Sequence, residues 1–180
     1  MGTYRTGNVI KQHRPQRGKK MTNEQIISKL IENNITISTA ESCTGGSLGK
    51  IITSVPGASS IYGYGFITYA NEAKKKILGV SRETLEKHGA VSPATALEMA
   101  KGARKVSGSD IAVSVTGIAG PGGGTAEKPV GLVYIAIADK NGEECRKLNL
   151  SGNRDEVRAK TCDEVFKLIA ERISGTGTFL

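Results

Sequence analysis

The chain has 180 residues, with 25 Lys and Arg against 17 Asp and Glu, a formal net charge of +8 when both histidines are neutral, and 38% hydrophobic residues. That composition describes one globular domain, able to bury roughly 70% of its unfolded surface without a disulfide or metal staple. No run approaches the roughly 18 consecutive apolar residues of a membrane span, and residues 1–20 lack the apolar core of a signal peptide, so a cytoplasmic protein is expected.

The charge is unevenly placed. Residues 1–20 carry Arg5, Lys11, Arg14, Arg17, Lys19 and Lys20 with no acid, while the other 160 residues hold 19 basic and 17 acidic side chains. A basic leader can touch phosphates, but this one has no apolar periodicity and reads as flexible or expression-derived. The near-neutral body argues against a nucleic-acid partner. Cys43, Cys145 and Cys162 are widely spaced without a CxxC, and the only histidines are His13 and His88. A protein-built zinc site is excluded on ligand supply, and no cofactor is expected. Chemistry then falls to hydroxyls, amines, carboxylates or backbone amides.

Met21-Thr22-Asn23-Glu24-Gln25 reads as a capping box opening a helix with inward Ile26, Ile27, Leu30 and Ile31. Ile35 to Thr39 is β-branched and leads through Glu41-Ser42-Cys43-Thr44-Gly45-Gly46 into a helical stretch from Leu48 to Ile52. Tyr64 to Tyr69 predicts a second strand, with Asn71 as N-cap of a helix that carries Lys74. Ser92-Pro93 predicts the start of a further helix. Ile111 to Val115 and Val130 to Ala138 have the continuous apolar character of strands covered on both faces, and Asn141-Gly142 is a hairpin signal with Cys145 to Leu150 as the partner strand. A closing helix starts near Arg154, and residues 175–180 are an unpatterned tail. The pattern predicts a three-layer α/β/α sandwich around a mixed, mostly parallel sheet, with one domain over 21–174. Ligands of such sheets sit past the carboxyl ends of strands, and residues 41–46, 69–74 and 116–125 all lie at such places.

Ser42 follows a strand in a loop of small residues, where a serine serves as nucleophile or as a turn former. The G-x-S-x-G elbow is absent, and His88, the one histidine in the body, has no acidic neighbour, so lysine is the natural base. Lys74 falls near a helix N-terminus, where the dipole disfavours a second positive charge. Tyr69, just upstream, either points its phenol into the same crevice or packs at the sheet edge. The Tyr69 to Lys74 spacing is five rather than the four of short-chain dehydrogenases, and no G-x-G-x-x-G follows the first strand. Gly117 to Gly124 lacks the Gly-Lys-Ser/Thr ending of a P-loop; its amides suit a phosphate or oxyanion, or simply tight turns.

Thr39-Ala40-Glu41-Ser42-Cys43-Thr44-Gly45-Gly46, Tyr69-Ala70-Asn71-Glu72-Ala73-Lys74, His88-Gly89-Ala90-Val91-Ser92, Thr116-Gly117-Ile118-Ala119-Gly120-Pro121 and Lys128-Pro129-Val130-Gly131 together resemble the CinA C-terminal-domain family, over about residues 22–173. The resemblance implies a nicotinamide-nucleotide amidase that hydrolyses nicotinamide mononucleotide to nicotinate mononucleotide and ammonia, without a cofactor and as a homo-oligomer. It carries the catalytic serine, tyrosine and lysine onto Ser42, Tyr69 and Lys74. It further implies oxyanion donors among the amides of Thr44, Gly45 and Gly46, ligand positioning by Thr116 and Gly117, and a phosphate contact at Arg154, with Lys128 as second choice. Asn153 stands where many relatives carry Asp. The larger pyrophosphatase domain that precedes this one in many members has no counterpart in these 180 residues. Alternatives to the serine amidase are a nucleotide-binding module without turnover and an amidase that uses Cys43.

Overall fold

A computed structural model describes residues 21–175. The basic leader and the tail beyond Gly175 lie outside the described residues. In chain order the elements are α1 (Asn23–Glu32), β1 (Ile37–Glu41), α2 (Ser47–Thr53), a short 3-10 turn (Ala58–Ser60), β2 (Tyr64–Ile67), α3 (Asn71–Leu78), α4 (Arg82–His88), α5 (Pro93–Ser107), β3 (Ile111–Gly117), β4 (Leu132–Asp139), β5 (Gly142–Asn149) and α6 (Arg154–Gly175).

The capping box forms as written in the sequence: the Gln25 amide donates to Thr22 Oγ1 at 3.2 Å, and the Thr22 amide donates to Gln25 Oε1 at 2.9 Å. Ser92 likewise caps α5 by accepting from the Thr95 amide at 3.2 Å, with Pro93 in the first turn. Asn71 does not cap α3. The cap is Ala70, which makes Asn71 the first helical residue and Lys74 the fourth. The sequence pattern also gave no sign of α4, whose RETLEKH run turns chiefly Thr84 and Leu85 inward and starts from a Ser81 side-chain cap.

The sheet order is β2-β1-β3-β4-β5. β1 pairs parallel with β2 and β3, and β3, β4 and β5 pair antiparallel in turn. The sheet is therefore mixed, with β4 alone running against the other four strands. Its two faces differ in side-chain size. One presents Ile37, Ile111, Val113, Val115, Val133, Ile135 and Ile137 to α1, α2 and α6. The other presents Ala40, Ala112, Ala136 and Ala138 to α5 and the end of α3. Small residues on that second face let α5 lie close to the sheet, where the Ser114 hydroxyl donates to the Ala96 carbonyl at 2.6 Å. Gly102 allows the next contact. A Cβ there would stand 1.9 Å from the Leu78 carbonyl oxygen, so the end of α3 rests on α5 itself. That contact fixes the helix that carries Lys74.

β1 begins two residues later than the β-branched run suggests and continues to Glu41. All five of its residues are buried, including Ser38, Thr39 and Glu41, so no polar and apolar alternation marks its ends. β2 stops at Ile67; the Thr68 amide still donates to the Glu41 carbonyl at 2.8 Å, while the Thr68 and Tyr69 carbonyls turn away from the sheet.

Candidate active site

The parallel strands β1, β2 and β3 end on one rim of the sheet. The connection from β1 to β2 runs through α2 on one face, while that from β2 to β3 runs through α3, α4 and α5 on the other, so the rim above β1 is where the winding reverses. Ser42 stands there. Its amide donates to the Val115 carbonyl at 3.0 Å, extending the β1–β3 ladder one step, and the residue is 8% exposed.

Lys74 reaches Ser42 from α3. Its Nζ lies 3.0 Å from Ser42 Oγ, 2.7 Å from the Thr68 carbonyl and 3.2 Å from the Tyr69 carbonyl. The side chain is 1% exposed, and among the described residues no carboxylate pairs with it. Burial holds its pKa below the ordinary lysine value, opposed only by the nearby Cys43. The donor count matters. In its charged form the amine donates one N–H to Ser42 Oγ and one to each carbonyl; on loss of a proton, two N–H groups stay on the Thr68 and Tyr69 carbonyls and the lone pair faces the Ser42 hydroxyl. Both carbonyls come from the residues just past the end of β2 at Ile67, where only the Thr68 amide still bonds to β1.

The Tyr69 phenol lies elsewhere. It accepts from Arg154 Nη2 at 2.9 Å on the outside of the site, 59% exposed, and Arg154 Nη1 donates to the Gly120 carbonyl at 2.8 Å. Tyr69 thus serves the amine through its backbone and the arginine through its ring, and is neither a packed sheet-edge residue nor within a hydrogen bond of Ser42. Arg154 opens α6, whose first amides are capped by Asn153: the Glu156 amide donates to Asn153 Oδ1 at 3.0 Å.

The loop after Ser42 is held almost throughout. The Gly45 amide donates to the Ser42 carbonyl at 3.1 Å, and the Gly46 amide to Glu41 Oε2 at 3.0 Å. Both amides are thereby engaged within the protein, and the Thr44 amide, the third expected of the oxyanion role, belongs to a residue with no exposed surface. The Thr44 side chain is fully buried, and its hydroxyl and that of Thr68 are buried without a hydrogen bond. Thr116 and Gly117 are engaged within the protein. The Thr116 hydroxyl donates to the Ala90 carbonyl at 2.7 Å, and a Cβ on Gly117 would lie 2.8 Å from the Leu132 carbonyl, so both are shaped by packing. Lys128 is spent on the His88 carbonyl at 2.7 Å.

Two residues of the site were not singled out from sequence. Glu41, 1% exposed, accepts from the amides of Gly46, Leu48 and Gly49, and Arg158 grips the Thr44 carbonyl. The signal for Glu41 was an acid placed just ahead of a glycine turn and helix start; that for Arg158 was its position one turn after Arg154. Cys43 is buried on the α2 and α6 side, and burial pushes its thiol up to about 11. A recess of about 820 Å³ at the opposite rim, lined by Arg104, Asp139, Arg146 and Arg172 among others, holds none of these residues. Its arginines Arg146 and Arg172 are paired with Glu171 and Asp139 at 2.6 and 3.2 Å.

The profile of the CinA C-terminal domain matches residues 19–173. The chain belongs to the CinA C-terminal-domain family. A relative in Acetivibrio thermocellus named for competence-damage inducibility is 56% identical over 140 residues, covering 78% of this chain and 34% of that protein. A CinA-like protein from Endomicrobium trichonymphae is 51% identical over 144 residues, covering 80% of this chain and 34% of its own length. The chain spans about a third of the length of these curated relatives. Among solved structures, the competence/damage inducible protein CihA from Agrobacterium tumefaciens is 44% identical with a TM-score of 0.81, over 83% of this chain and 92% of that one. A CinA-superfamily protein from Klebsiella pneumoniae is 31% identical with a TM-score of 0.81, over 86% of this chain and 99% of that one. The CinA fold of these neighbours agrees with the mixed five-stranded sheet and its flanking helices. No described helix is long and apolar enough to cross a membrane.

Proposed function

We propose that this CinA domain is a serine amidase that hydrolyses nicotinamide mononucleotide to nicotinate mononucleotide and ammonia in the cytoplasm, as a homo-oligomer. The supporting observation is the buried amine of Lys74, without a carboxylate partner, 3.0 Å from Ser42 Oγ and held by two carbonyls. An ordinary structural lysine has no reason to be desolvated there. An amine that must take a proton does.

In this mechanism Ser42 Oγ attacks the carboxamide carbon as its proton passes to Lys74. Lys74 returns the proton to the amide nitrogen, the C–N bond breaks, and ammonia leaves an acyl ester on Ser42. Water then attacks the ester, giving its proton to Lys74, and collapse restores the Ser42 hydroxyl with that proton and releases the carboxylate product. Arg154, with Tyr69 on one edge of its guanidinium, stands outside this proton path and is assigned to the substrate phosphate. Tyr69 therefore supports binding, and the proton is handled by Lys74 alone.

The test is ammonia release from nicotinamide mononucleotide by purified protein in the presence of chelator. Turnover that survives chelation and disappears in folded Ser42→Ala and Lys74→Ala variants supports the reading. Ligand binding by folded parent protein without any ammonia release favours a binding module instead, and light scattering of the same sample reads the oligomeric state.

A further inference from the structure

We infer that Glu41 and Arg158 are positioning residues that clamp the nucleophile loop at two points from its α2 and α6 side and thereby aim Ser42 Oγ; this rests on the serine-amidase reading above. Consecutive residues at a strand end point to opposite faces. Glu41, the last residue of β1, faces α2, so Ser42 faces Lys74 on α3. Glu41 is almost wholly buried, which is costly for a carboxylate unless its oxygens are filled. They are filled by backbone alone: Oε2 accepts from the amides of Gly46 at 3.0 Å and Leu48 at 3.1 Å, and Oε1 from that of Gly49 at 3.0 Å.

Capping the short helix α2 would take only one side-chain oxygen from a serine or threonine at its own N-cap. That position is Gly46 instead, with φ of 101° and no side chain to cap with, and the caps come from a residue five positions upstream. The consequence is geometric. Because a single carboxylate joins the end of β1 to three amides of α2, the chain between them is closed into a tight loop whose only turns are those over Ser42 to Gly45.

Arg158 holds the same loop from α6. Its Nε and Nη2 donate to the Thr44 carbonyl at 3.2 and 2.6 Å, and Nη2 also lies 3.2 Å from Ser47 Oγ. Ser47 adds its own hydroxyl to the Thr44 carbonyl at 2.7 Å. The anion thus takes the amides after the turn and the cation takes the carbonyl within it. The Gly45 amide, bonded back to the Ser42 carbonyl at 3.1 Å, closes the turn between them. Neither charged group touches the reacting atoms.

The experiment compares Glu41→Gln and Arg158→Met with parent protein, using a fluorophosphonate probe to measure labelling of Ser42, alongside kcat and KM for nicotinamide mononucleotide. Glutamine keeps the shape of Glu41 but sets an N–H against one backbone N–H. Leu30→Ala, in the core under α1, serves as a destabilised control outside the site. The expected result is a loss of about 10- to 100-fold in both labelling rate and kcat for each clamp variant, with KM held within about threefold, while Leu30→Ala keeps parental kcat. Should Glu41→Gln not fold, Arg158→Met carries the comparison. Parental labelling and kcat in a folded clamp variant, a loss confined to KM, or an equal kcat loss in Leu30→Ala overturns the inference while leaving the amidase reading intact. Absence of Ser42 labelling in the parent overturns both.

Discussion

Lys74 Nζ and Ser42 Oγ are 3.0 Å apart, with the lysine 1% exposed and no carboxylate paired with it among the described residues, so the lysine lacks the two partners that normally keep it charged. Its depressed pKa has an electrostatic consequence for rate. The base form is the neutral amine, and kcat/KM is expected to rise with pH along a limb set by Lys74, lying below the 10.5 of an ordinary lysine. Ser42→Ala and Lys74→Met should each lower kcat by about 10³-fold or more. A pH–rate series on parent protein checks the limb, and single-turnover assays check the variants.

The same burial has a cost in stability with a definite sign. Between the lowered folded pKa and 10.5, the unfolded chain binds more protons at Lys74 than the folded one, so this residue's contribution grows with rising pH and is lost as pH falls. Lys74→Met removes that penalty. The pH-dependent part of the parent's stability should be absent from the variant, so the parent gains on it as pH rises toward 10.5, whatever constant offset comes from the Thr68 and Tyr69 carbonyls left without their donor. Thermal melts at several pH values measure it.

Arg154 and Tyr69 separate binding from chemistry. Arg154→Lys breaks the planar fork to the Gly120 carbonyl and the Tyr69 hydroxyl, and is expected to raise KM by about tenfold with kcat nearly unchanged. Tyr69→Phe should raise KM by only a few-fold. A fall in kcat of orders of magnitude in Tyr69→Phe would instead place its phenol in the proton path. Steady-state kinetics on the two variants distinguish these outcomes.

Much of this arrangement was legible in the residues and some was not. The helices whose caps are written in side chains, α1 with Thr22 and α5 with Ser92, start where the sequence says. The edges of β1 do not, because a strand covered on both faces carries no alternation and Glu41 reads as loop. Ser42 and Lys74 were found by elimination among the chemically able groups. Tyr69 was singled out for its phenol, which is visible in a sequence, whereas the carbonyls of Thr68 and Tyr69 reach the amine because β2 ends at Ile67, two residues before the expected end at Tyr69. The amides of Gly45 and Gly46 looked free for a related reason, since their acceptors are the Ser42 carbonyl within the turn and the Glu41 carboxylate crossing from β1 to α2.

Cys43 offers a direct contrast with its neighbour Ser42. Burial raises its thiol to about 11 and its side chain faces α2 and α6, so alkylating reagents at pH 7 should leave ammonia release unchanged, and Cys43→Ala should keep kcat within about threefold. Inactivation by iodoacetamide that is prevented by Cys43→Ala would assign the thiol a part in the reaction.

Gly102 tests the mechanical link to the site. Gly102→Ala drives a methyl group into the Leu78 carbonyl, and the overpacking should cost about 1–3 kcal/mol, read as a melting temperature lower by roughly 2–10 °C. Because α3 carries Lys74 at its fourth position, kcat should fall in the same variant. Differential scanning calorimetry beside the ammonia assay measures both effects.

The most direct test of the account is the titration of Lys74 Nζ itself, followed by nitrogen-15 NMR on protein labelled at lysine, with Lys74→Met used to assign the signal. The account expects a pKa below the ordinary lysine value that coincides with the rising limb of kcat/KM. A Lys74 amine that titrates at or above 10.5, in protein that still releases ammonia from nicotinamide mononucleotide, would contradict it.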